Sequence, residues 1–147
     1  MCGGKAGSSC NNLLGIVSAE AKAYVQLDTA TNASALAGKG IDLEPVRRYV
    51  AVLIRTKSAI SKGHFGKTRA KAIEQYRTAI ELSLTGWRKL IQSQRDQAQM
   101  FTDETARKRL AKGGTGGGAA LIVAGPLMVE ARAAIGTACG VQNRSSR

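Results

Sequence analysis

The sequence predicts an all-α protein: an extended helical hairpin or bundle of about four or five helices, joined by Gly-rich linkers and completed by neighbouring subunits. Three observations carry this. Aromatic residues make up only 4% of the chain, and no long stretch alternates apolar with polar residues as a half-buried strand would. The apolar residues Ile73, Tyr76, Ile80, Leu84, Trp87 and Ile91 recur at steps of three and four, the spacing of a helix laid along a neighbour. Gly38, Gly40 and the GGTGGG run punctuate the chain where helices would end. At 147 residues, one compact or extended unit is expected.

Residues 1–40 read as a small-residue segment with a weak helix. The opening MCGGKAGSSCNN is turn-forming, and Asn11 or Asn12 offers a cap for a helix beginning at Leu13. Leu14, Val17, Ala21 and Tyr24 or Val25 fall at helical spacing, while Gly15, Thr29, Thr31 and Asn32 lower the propensity, so this helix is expected to run to about Leu27. Residues 41–112 form a basic helical core. Pro45 suits a first helical turn, and a second helix is expected to Lys62 with Val46, Tyr49, Val50, Leu53 and Ile60 inward. The β-rich run from Tyr49 to Ile54 allows a strand instead.

The third and longest helix is expected from Thr68 to about Met100, about 50 Å at 1.5 Å per residue. Ala79, Leu82, Gly86 and Leu90 form a second apolar stripe opposite the first, so this helix needs two neighbours. One is the preceding helix; the other is either the final segment or another subunit. Asp103 and Glu104 open a short fourth helix that ends in Arg107, Lys108, Arg109 and Lys112, acid first and base last as the helix dipole favours. After a Gly-rich linker at 113–118, residues 119–147 are apolar and Ala/Gly-rich with a polar tail. The run from Ala119 to Val129 is too short to cross a bilayer as a helix, and Pro126 is expected to kink it. Leu121, Ile122 and Val123, together with Ala79, Leu82, Gly86 and Leu90, are the candidate interface residues.

Net charge is +12, and the stretch from Arg47 to Lys112 carries most of it, with sixteen Lys or Arg against five acids. Such a centre attracts a polyanion or an acidic partner. Arg77, Arg88 and Arg95 share one helical stripe and make a rail of guanidinium groups over roughly 27 Å. The candidate polyanion-binding residues are these three with Arg47, Arg48, Lys62, Lys67, Arg69, Arg107, Lys108 and Arg109. Few aromatics interleave with them, so contact is expected with a nucleic-acid backbone or protein acids rather than with bases.

No catalytic, cofactor or metal site is expected. The run SKGHFGKT, Ser61 to Thr68, ends like a nucleotide-binding loop, yet Ser61 stands where the first glycine is required. A basic turn between helices explains it better than a nucleotide-dependent enzyme does. His64 is the only histidine, and Glu74 and Glu81 flank Arg77 as an ordinary ion-pair row. Cys2, Cys10 and Cys139 are odd in number and lie at the two ends, so neither a disulfide nor a zinc site is expected. With no secretory signal at the start, a reducing, intracellular setting follows.

The opening Met1-Cys2-Gly3, the long Ala/Gln/Arg-rich helix and the late segment AALIVAGPLMVEARAAIG, Ala119 to Gly136, together resemble the smaller internal virion proteins of short-tailed phages. The resemblance lies in layout more than motif. It implies a non-enzymatic virion component near the portal, an internal or ejection protein. Such a protein is made in the host cytoplasm, assembles with itself and other virion proteins, and contacts DNA, with membrane contact but not as a single spanning helix. The alternative is a basic helical accessory of a ribonucleoprotein.

Overall fold

A computed structural model describes residues 3–38, 42–113 and 118–140. They form five helices: α1 (Gly3–Leu36), α2 (Leu43–Lys62), α3 (Ala70–Gln99), α4 (Glu104–Gly113) and α5 (Gly118–Ala138), with a 3-10 turn at Lys67–Arg69 ahead of α3. The protein is all-α. The run from Tyr49 to Ile54 lies inside α2, because Val46, Tyr49, Leu53 and Ile60 bury at helical spacing and the Asp42 carboxylate accepts the Glu44 N–H at 3.0 Å as an N-cap.

Contacts at both ends of each pair fix the topology. Ile16 and Gln26 of α1 share a groove with Ala59 and Val52 of α2, Lys57 and Tyr49 of α2 meet Glu81 and Trp87 of α3, and Cys10 and Glu20 of α1 meet Cys139 and Arg132 at the far end of α5. Higher numbers on one helix meet lower numbers on the next, so α1, α2, α3 and α5 run up, down, up and down as a four-helix bundle. The helix α3 is its hub, packing against α2, α4 and α5. Leu13, Leu53, Tyr76, Ile80, Ala131 and Ile135 are fully enclosed at the centre.

Several expectations are corrected. The helix α1 runs from Gly3, not Leu13, and continues past Leu27 to Leu36, with Asn11 and Asn12 exposed within it rather than capping it. Its inward face is Leu13, Val17, Glu20 and Leu27, one register away from Leu14 and Ala21; burial of those residues against the bundle outweighs the weak propensity. The helix α5 passes through Pro126 without ending. Pro126 sits on the exposed side together with Ile122, 78% exposed, whose carbonyl loses its i+4 partner where water can replace it. The resulting helix of 21 residues is long and apolar enough by length and composition to cross a membrane, so the length argument drawn from Ala119–Val129 fails.

The second neighbour of α3 is α5 of the same chain: Ala79 shares a groove with Leu127, and Ala79 and Gly86 are buried. Leu82 and Leu90 are half-buried. The described chain therefore covers both sides of α3 without another subunit.

The cysteine reading is also overturned. Cys10 and Cys139 form a disulfide with their Cα atoms 5.7 Å apart and 129 residues between them in sequence. Only the antiparallel placing of α1 and α5 brings them together. Closing so long a loop restricts the unfolded chain, and the chain-entropy account gives up to about 5 kcal/mol. Reduction, or Cys10→Ser, is expected to lower the urea midpoint accordingly while leaving the helical signal intact. Non-reducing peptide mapping checks the linkage directly.

Candidate functional site

The eleven candidate cations divide into two groups. Arg48 pairs with Glu44 at 3.4 Å, Arg77 with Glu74 at 3.2 Å, Lys108 with Glu104 at 3.6 Å, and Arg109 with Asp96 at 2.7 Å. Arg69 turns inward, donating from Nη1 to the Phe65 carbonyl at 2.7 Å. Arg47, Lys62, Lys67, Arg88, Arg95 and Arg107 are exposed and have no ion-pair partner among the described residues. The rail on α3 is thus Arg88 and Arg95, since Arg77 is engaged at its start. Glu81 does not join the row with Arg77; it reaches across to Lys57 of α2 at 3.1 Å.

Asp96 is held more tightly than a surface acid. Arg109 donates from Nε and Nη2, Gln92 adds a bond at 3.0 Å, and the carboxylate is almost enclosed. The Arg109 hydrogen bonds hold its pKa below the usual value of 3.8. This pair fastens α4 back onto the end of α3, and Asp103 starts α4 by accepting the Thr105 N–H at 2.9 Å. The basic cluster at 107–109 therefore has one structural member, which its sequence conceals.

The turn SKGHFGKT has local steric reasons for both glycines. A Cβ on Gly63 would collide with the Phe65 ring, which plugs into the core, and Gly66 adopts φ +88°. Lys67 and Thr68 are exposed beyond it, and His64 is exposed with no carboxylate partner among the described residues. No cluster of three or more His, Cys, Asp or Glu among the described residues is placed to hold a metal.

The sequence reading missed the most polar feature of the interior. Glu20 of α1 is fully buried, and a donor from each of the other three bundle helices converges on it. Arg132 of α5 donates from Nε to Oε1 at 2.8 Å and from Nη2 to Oε2 at 2.7 Å. Tyr76 of α3 donates to Oε1 at 2.7 Å, and Tyr49 of α2 to Oε2 at 2.8 Å. Each carboxylate oxygen accepts two bonds, so its acceptor capacity is filled. Arg132 also lies 5.4 Å from the centre of the Tyr24 ring, and Tyr49 meets Trp87 edge-on at 6.2 Å.

Burial, then the charge and hydrogen bond of Glu20, push both phenols above their ordinary value of 10.0. Burial alone would lower the Arg132 guanidinium, but its bonds to Glu20 outweigh that and hold it above its usual value. The sequence signal was a charge inside an apolar row: Leu13, Val17, Glu20, Tyr24 and Leu27 step by four, three, four and three.

Comparison with protein-family models, curated proteins and solved structures found no match. The assignment of function therefore rests on the geometry and the layout.

Removing one member of the buried cluster leaves an uncompensated charge. Glu20→Ala is expected to cost about 3–5 kcal/mol in urea unfolding, whereas the double change Glu20→Leu with Arg132→Met recovers most of it. Recovery no better than the single variant would show that the ion pair is not the cause. The phenols set an alkaline limit. Their contribution is fully present below pH 10 and falls as pH rises past it, because the unfolded chain releases protons that the native state retains. Unfolding free energy is expected to drop by about 1.4 kcal/mol per pH unit for each phenol there, and Tyr76→Phe to flatten that slope.

Proposed function

We propose that the protein is a non-enzymatic binding component of a larger assembly, and that its basic central stretch, Arg47 to Lys112, grips a DNA backbone. One observation carries this reading. All five acids between Arg47 and Lys112 are engaged within the chain: Glu74, Glu81, Asp96 and Glu104 in ion pairs and Asp103 at a helix cap. The six candidate cations that are exposed and unpaired among the described residues therefore have no acid of their own stretch left to neutralise them, and a phosphate backbone matches them in sign. The layout resemblance to internal virion proteins supports a phage particle as the assembly. Oligomerisation within it would use exposed apolar side chains such as Ile122 and Val123 on α5, since α3 is already covered.

The test is anisotropy titration of a labelled DNA duplex over a range of salt. Affinity is expected to fall steeply with salt, and Arg88→Glu with Arg95→Glu to weaken binding and reduce the log–log slope by about two units. Absence of binding at low salt, or indifference to the double change, would overturn the reading. Tighter binding to RNA of the same length would turn it toward a ribonucleoprotein accessory. Mass spectrometry of purified particles tests the virion setting separately.

A further inference from the structure

The seam between α1 and α5 is tied at one end by the disulfide and by Glu20–Arg132, and beyond that tie it opens. A cavity of about 290 Å³ enters the bundle there, with Tyr24, Tyr49, Trp87 and Met128 in its walls and Ser83 and Arg132 among its polar side chains. Its lining includes no Asp or Glu.

Two observations make this a built site rather than a packing fault. Ser83 is 3% exposed, yet its hydroxyl has no hydrogen-bond partner among the described residues, and it lines the cavity. Its oxygen is not sealed inside the protein, so a ligand atom entering the cavity can bond to it, whereas nearby Thr78 and Thr85 bond to the carbonyls of Glu74 and Glu81. Arg132 commits Nε and Nη2 to Glu20 but makes no hydrogen bond from Nη1 among the described residues, so one edge of a cation held in place by Glu20 remains available in the lining. Around these donors the walls are aromatic and thioether, surfaces suited to an apolar body.

We infer that this cavity binds a small apolar monocarboxylate, its carboxylate on Arg132 Nη1 and Ser83 and its apolar body between Tyr24, Trp87 and Met128. At about 30 Å³ per water-sized group, the volume holds on the order of ten non-hydrogen atoms. Octanoate and phenylacetate are both of that size; one offers an alkyl body and the other an aryl body. The site is independent of the polyanion surface, so neither reading stands or falls with the other.

Trp87 is the only tryptophan, so its fluorescence reports the cavity directly. Titration of the full chain with octanoate, and separately with phenylacetate, is expected to give a saturable change with half-saturation at or below about 1 mM for at least one of them. Whichever binds more tightly identifies the body. Gly125 lines the cavity, and a Cβ there meets nothing within 4 Å, so Gly125→Leu places bulk in open space. It is expected to weaken binding about tenfold or more with an unchanged helical signal. Ser83→Ala, which removes one donor without adding volume, is expected to weaken it about three- to tenfold. No saturation with either probe, undiminished binding in both variants, or equal affinity for neutral octan-1-ol would overturn the inference.

Discussion

Glu20 sets the register of the bundle. An apolar core of Leu, Ile and Ala accommodates several slightly slipped packings at small cost, whereas a buried carboxylate with four donors accepts only one. Moving α5 by a single turn shifts Arg132 about 5.4 Å along the axis and strands two opposite charges inside the protein. Because one member comes from each of α1, α2, α3 and α5, a slip of any of these helices breaks the cluster. The cluster's gain is specificity more than stability, since a well-packed apolar replacement holds helices together as strongly.

The same cluster explains how α1 is held. It packs along α2 but meets α5 sparsely, and the disulfide and the Glu20–Arg132 bridge tie that seam, with Arg132 also set over the Tyr24 ring. Both lie toward the end of α5, the disulfide near the start of α1 and the bridge at its middle. Along the remaining length of the seam Tyr24, Val25 and Val129 are exposed and the cavity beside Trp87 opens. An aromatic wall at a splayed seam is thus a consequence of where the polar and covalent ties sit.

What could be read from the sequence was whatever depended on neighbours along one helix. The stripe from Ile73 to Ile91, the acid-to-base polarity of α4 and the turn at Gly63–Gly66 all follow from spacings of a few residues, and they match the helices observed. The features missed require partners far apart in sequence. Glu20 and Arg132 are 112 residues apart and Cys10 and Cys139 are 129, so each looked solitary until the bundle closed. The α1 register differs for the same reason: the stripe through Leu14 and Ala21 leaves out Glu20, whose partners on α2, α3 and α5 turn the Leu13–Leu27 face inward. Arg109 was placed among the free cations because Asp96, its partner, lies on another helix.

The charge excess links surface to fold. Crowding unpaired cations onto α2, α3 and α4 raises the energy of the compact state by self-repulsion, which an acid on a neighbouring helix would ordinarily relieve. Here the acids of the central stretch are already engaged in fastening turns and helix pairs, so on the proposed reading the relief comes from outside the chain. On that reading, a phosphate backbone bound only by the folded form supplies it, and by mass action it would stabilise the bundle as it binds. Added salt screens the repulsion in the free protein and weakens the attraction in the complex. On the proposed reading, then, low salt is the condition in which the free bundle is least stable and the bound one gains most, and both effects have the same unpaired side chains as their cause.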